Sequence, residues 1–92
     1  MELSARLKCH QKWIKEELER SIRFWLTNGM DLVHGGVYTC LDREGKVFST
    51  DKSVWMQGRC AWTFAYLCHV YGVRDEWLKA SRSCLGFMEK YC

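Results

Sequence analysis

Ninety-two residues are enough for one small domain. With 48% hydrophobic and 27% charged residues the composition is globular, and the net charge of +3 is scattered among interleaved acids and bases, which leaves no basic stripe for a nucleic-acid backbone. No apolar run approaches the roughly eighteen residues of a membrane span, and residues 1–25 are charged throughout, so neither a transmembrane helix nor a secretory leader is expected.

Residues 3–27 read as an amphipathic helix. Leu3, Leu7, Ile14, Leu18, Ile22, Trp25 and Leu26 recur near a 3.6-residue period, with Glu16/Arg20 and Glu19/Arg23 pairs on the wet side. Thr27-Asn28-Gly29 supplies a stop, since Gly or Asn accepts the left-handed conformation after a last turn. Residues 30–53 then form a loop and β-hairpin. Gly35-Gly36 turns the chain, Val37–Leu41 is the first strand, Asp42-Arg43-Glu44-Gly45 reverses it, and Lys46–Ser49 returns. A hairpin this short needs something to lie on.

Residues 54–71 predict a second helix that is apolar nearly all round, ended by Gly72. A helix without a polar face is normally surrounded by protein. Asp75 is the expected N-cap of a third helix over 75–92, in which Trp77, Ser81, Cys84, Leu85, Met88 and Cys92 share a face. No stop signal precedes Cys92, so the chain is expected to break off in mid-structure. The fold class is mainly α: three helices with a short β-hairpin between the first and second, alternating as outer and inner helices of a layered array.

The six cysteines (Cys9, Cys40, Cys60, Cys68, Cys84 and Cys92) include no Cys-x-x-Cys pair, so zinc-ribbon and thioredoxin chemistry have no spacing to stand on. Lacking a leader, they read as reduced, mostly buried thiols of a cytosolic protein, with a disulfide scaffold as the alternative. A metal centre built from His34, Asp31 and a cysteine has no ligand spacing either, and none is expected.

The chemistry concentrates in Ser53–Arg59. Trp55 and Arg59 lie four residues apart and so share a helix face. A guanidinium keeps its charge, so beside an aromatic wall it implies that something anionic or strongly polar arrives there. The plainer alternative is an ion-paired structural arginine. Gln57 either orients a ligand hydroxyl or satisfies backbone groups at the helix start. Gly58 is read as letting another element approach closely. Trp13, Trp25, Trp62 and Trp77 are expected in the core. His34 is read as loop structure beside Gly35-Gly36, with proton transfer as the alternative; His10 and His69 are surface or packing residues. Asp31 is expected to fix the turn through its own backbone.

The segment His34-Gly35-Gly36-Val37-Tyr38-Thr39-Cys40-Leu41-Asp42-Arg43-Glu44-Gly45, taken with Val54-Trp55-Met56-Gln57-Gly58-Arg59, resembles the N-acyl-D-glucosamine 2-epimerase family. The likeness covers essentially the whole chain and includes Phe24-Trp25. It implies the N-terminal part of an (α/α)6 barrel of the six-hairpin type, with the hairpin at the barrel mouth. It also implies a cofactor-free isomerase that interconverts N-acylglucosamine and N-acylmannosamine at C2 through an enediolate.

The family tryptophan and arginine of the sugar pocket fall on Trp55 and Arg59. Tyr38 is a candidate pocket wall and Gln57 a candidate sugar contact, whereas Val37 stands where relatives carry an aromatic residue. The proton-shuttling histidines lie beyond Cys92, so these 92 residues alone are expected to be inactive. Two rivals stand beside this: a cellobiose or mannose epimerase of the same family, and a non-catalytic helical module that uses its aromatic surplus to bind a partner helix or to form a homodimer.

Overall fold

The computed structural model describes residues 2–92. The helices α1 (Leu3–Asn28), α2 (Val54–Tyr71) and α3 (Asp75–Tyr91) are joined by a two-stranded antiparallel sheet, β1 (Cys40–Leu41) and β2 (Val47–Ser49), in the order α1-β1-β2-α2-α3. The mainly helical expectation holds to within a residue at each helix end. Among the described residues no helix is long and apolar enough to cross a membrane.

The centre is the hairpin of α2 and α3. Ser53 caps α2 by accepting from the Met56 N–H at 3.3 Å. Gly72 ends it at φ 96°, a backbone that strains any residue with a Cβ. The two helices approach so closely that the Ser81 hydroxyl donates to the Ala61 carbonyl of its neighbour at 2.8 Å. Ile22 of α1 joins Phe64, Leu67, Trp77 and Ala80 in the main core cluster, and Val37, Ala61 and Cys84 form a second one beside it. Only the second half of α1 takes part, through Leu18, Ile22, Trp25 and Leu26. Its first half runs outward with Leu3, Leu7, Trp13 and Ile14 exposed, and the molecule measures 53 × 28 × 20 Å.

Several local expectations are corrected. Asp75 is not the N-cap of α3: that position is Arg74, and Asp75 stands with Glu76 in the first turn, where carboxylates complement the helix dipole. Gly29 is not left-handed but lies at φ −92°; a Cβ there would meet Trp25 Cε3 at 2.6 Å, so close packing explains the glycine. The first strand shrinks from 37–41 to Cys40–Leu41, because the Val37 backbone is engaged by a side chain of α2. The Asp42–Gly45 reversal stands, with the Asp42 carboxylate accepting from the N–H groups of Glu44 and Lys46.

The ion pairs also differ from expectation. Arg20 pairs with Glu17, while Arg23 reaches Glu76 and Glu19 meets Arg74 between the second half of α1 and the start of α3. Trp77 is buried and Trp25 half-buried, but Trp13 and Trp62 are exposed, since nothing among the described residues covers their helix faces. All six cysteines are free thiols, and only Cys84 is fully buried.

Candidate functional site

The loop between α1 and the hairpin is organised around Asp31. Its carboxylate accepts from the N–H groups of Val33 at 2.9 Å and His34 at 3.0 Å, the expected self-made turn. The sequence did not single out its other partner. Lys52, just before α2, donates from Nζ to Asp31 Oδ2 at 2.5 Å and to the Gly35 carbonyl at 3.0 Å. The Lys52 side chain is 7% exposed and that of Asp31 3%, so this is a buried ion pair whose remaining lone pairs are satisfied. The Tyr38 and Phe87 rings stand 5.0 and 4.6 Å from the ammonium.

Burial pushes the Asp31 carboxyl up, but the Lys52 ammonium and the His34 and Val33 N–H groups outweigh it and hold the group well below the usual carboxylate range. Burial and the Asp31 charge push the Tyr38 hydroxyl up. Lys52 carried no local signal, because its partner lies 21 residues away.

A second joint ties this loop to α2. Gln57 is 0% exposed. Its Oε1 accepts from the Val37 N–H at 2.8 Å and its Nε2 donates to the Val37 carbonyl at 2.7 Å. The side chain does serve backbone groups, but those of Val37 in the loop and not those at the start of α2 that the sequence pointed to. Gly36 is required beside it: at φ 78°, a Cβ would meet Gln57 Oε1 at 2.6 Å. The Gly36 N–H donates to Ser83 Oγ at 2.9 Å, which reaches across to α3. Below this joint Cys60 adjoins Cys84, and that contact together with burial pushes the Cys84 thiol up.

Trp55 and Arg59 project from the opposite side of α2, since successive residues turn by about 100°. The Arg59 guanidinium stands 4.8 Å from the Trp55 ring. The expected i, i+4 pairing is therefore present. Both residues are exposed, Trp55 at 66%, so this face of α2 is not enclosed by the described residues as the apolar pattern of the helix led one to expect. Among the described residues no carboxylate lies within ion-pair distance of Arg59.

Arg59 borders two depressions. One is an apolar groove of about 320 Å³ between α1 and α2, lined among others by Ile22, Trp25, Val37 and Cys60. The other is an open cleft along the outer face of α2, which Trp55 shares. Tyr38 lines neither. Trp55 and Arg59 thus come together, while Tyr38 and Gln57 belong to the loop joint on the other side.

Gly58 is not a point of close approach, because a Cβ there would meet only Met88 Sδ at an ordinary 3.9 Å. His34 is exposed with Nδ1 3.5 Å from Asp31 Oδ2, the loop role expected of it. His10 and His69 are on the surface. Among the described residues no three His, Cys, Asp or Glu side chains are grouped to hold a metal ion.

Residues 36–92 match the sequence model of the family described as N-acylglucosamine 2-epimerase (GlcNAc 2-epimerase). The chain is similar to a protein of Mus musculus named N-acylglucosamine 2-epimerase, with 39% identity over 87 residues that make up 92% of this chain and 21% of that one. It is similar to the protein of the same name in Homo sapiens, at 40% identity over 65 residues, 71% of this chain and 14% of the relative. For the one in Bos taurus the identity is 34% over 87 residues, again 92% and 21%. The chain spans about a fifth of the length of the curated relatives it matches over 87 residues. The matched region begins at Gly36 and takes in Val37, Tyr38, Trp55, Gln57 and Arg59.

Proposed function

Because the chain belongs to the N-acylglucosamine 2-epimerase family, we propose that it supplies one wall of the sugar pocket of an enzyme that inverts C2 of N-acylhexosamines. In this proposal α1, α2, α3 and the hairpin are the first elements of an (α/α)6 barrel, and the bare outer face of α2 looks into its lumen.

Inversion at C2 removes the proton alpha to the aldehyde of the open-chain sugar and returns one to the opposite face. The intermediate is an enediolate whose oxygen carries the developing negative charge, and fixed donors aimed at that oxygen lower the barrier. Arg59 suits this role. It offers parallel donors to neighbouring oxygens, and a guanidinium has no lone pair with which to act as the base. Trp55 holds the guanidinium against its ring and presents apolar surface to the sugar. Gln57 acts through position, fixing the loop to α2. Tyr38 is a wall of the pocket only if the sugar extends around the start of α2. The acid and base come from other parts of the polypeptide.

The observation that carries this proposal is an exposed arginine stacked on a tryptophan with no carboxylate partner among the described residues. The names of the relatives favour an N-acylhexosamine over cellobiose or mannose. The test is solvent-deuterium incorporation at C2 of N-acetylmannosamine. The full-length protein is expected to exchange that hydrogen and the 92 residues alone are not. Absence of exchange in the former, or clear exchange in the latter, defeats the proposal.

A further inference from the structure

Trp62 lies where a core residue should not. Its indole is 64% exposed, while Gln57, Ala61, Phe64 and Leu67 of the same helix are buried on the other side. It follows Trp55 by seven residues, which places the two indoles on one face about 10 Å apart along the axis. Between them stand Gly58 and Arg59. Since Gly58 carries no side chain, the floor between the rings is bare backbone. Crowding does not impose this, as a Cβ would be accommodated 3.9 Å from Met88 Sδ. Together with Val54 and Thr63 these four residues line the open cleft on α2.

The two ends of the cleft are built differently. At one, Arg59 leans on Trp55. At the other, Trp62 stacks on Tyr66 with ring centroids 4.9 Å apart and planes inclined by 7°. Tyr66 comes four residues later, so the phenol braces the indole from one side while the cleft opens on the side of Arg59. A braced ring loses little freedom on binding. A hexose has a face of C–H groups and an edge of oxygens, so it is recognised by a flat apolar ring beside a cation with parallel donors.

We infer that Trp62 is the second aromatic wall of the sugar site: the C–H face of an N-acylhexosamine stacks on its indole while the sugar's oxygens reach Arg59. This rests on the proposed epimerase function. It assigns a binding role to a tryptophan that the sequence places in the core.

The test uses the full-length protein, N-acetylmannosamine as probe, and the variants Trp62→Leu and Trp62→Phe. Leucine keeps an apolar side chain but removes the flat face, whereas phenylalanine keeps a smaller one. KM is expected to rise about tenfold in Trp62→Leu with kcat changed less than about threefold, and to recover largely in Trp62→Phe. Binding is read separately from the broadening of the probe's acetyl-methyl proton signal.

Unchanged KM and unchanged broadening in a folded Trp62→Leu protein overturn the assignment. So does failure of both variants to reach the native circular dichroism spectrum, which makes Trp62 a packing residue. If the parent protein broadens the signal, Trp62→Leu does not, and no deuterium enters C2, the assignment stands and the epimerase proposal falls. If the parent neither broadens the signal nor exchanges deuterium, both fall.

Discussion

Lys52 and Arg59 are cations beside aromatic rings, seven residues apart, and the molecule uses them in opposite ways. Lys52 is enclosed, paired with Asp31 and bonded to the Gly35 carbonyl. Arg59 lies on the surface against Trp55 and pairs with no carboxylate among the described residues. A buried charge tolerates its site only when every partner is already present. A charge meant for an incoming molecule keeps its donors uncommitted. Such a contrast in partners separates a structural cation from a candidate binding one more reliably than the aromatic neighbour does.

The contrast is broken most easily at Lys52. Replacing Lys52 by Met leaves the Asp31 carboxylate buried without its counter-charge and is expected to cost about 4 kcal/mol, read from the urea midpoint. An unchanged midpoint means that the pair contributes nothing. Acid tests the same pair. The Asp31 pKa is depressed in the folded protein, so its stabilisation is complete above the ordinary carboxylate value of about 3.9 and is lost as pH falls below it. Without Lys52 burial is left to push the Asp31 carboxyl up, so the stability lost in Lys52→Met should shrink as pH falls below that value.

Arg59→Met should do the reverse. On the proposed epimerase function, turnover of an N-acylhexosamine by the full-length protein is expected to fall about 100- to 1,000-fold, the effect of removing one donor from an oxyanion site, while stability changes by less than about 0.5 kcal/mol. Equal losses of stability in the two variants would erase the distinction between the two sites.

Gln57→Leu sharpens the picture from the side of the loop. Without the amide, the Val37 N–H and carbonyl are buried unpaired, at a cost of about 2 kcal/mol, visible as faster hydrogen exchange at Val37. The smallest effect belongs to Arg23→Ala, which removes an exposed pair with Glu76 and should lower stability by no more than about 0.5 kcal/mol.

What was legible in the sequence was local. The Asp42–Gly45 reversal and the helix spans are written in turn residues and in hydrophobic spacing, and the Arg59–Trp55 contact in a four-residue interval. Asp31 with Lys52 and Val37 with Gln57 are 21 and 20 residues apart, and no spacing rule joins them; only the folding of the loop onto α2 does. The tryptophans show the same limit. Trp77 and Trp62 are equally apolar, yet one faces α1 and the other faces open space, because burial depends on what the rest of the fold brings near.

The double bond between Gln57 and Val37 has one more consequence. A helix gripped at a single point can still roll about its axis, as a shaft turns in a loose collar. Two hydrogen bonds to one residue of a loop that is itself pinned at Gly36 and Asp31 act as a key in a slot. They index the roll of α2 and its position along the axis together. Trp55 and Arg59 stand two residues to either side of Gln57, so their bearing is set from behind by a side chain that never leaves the interior.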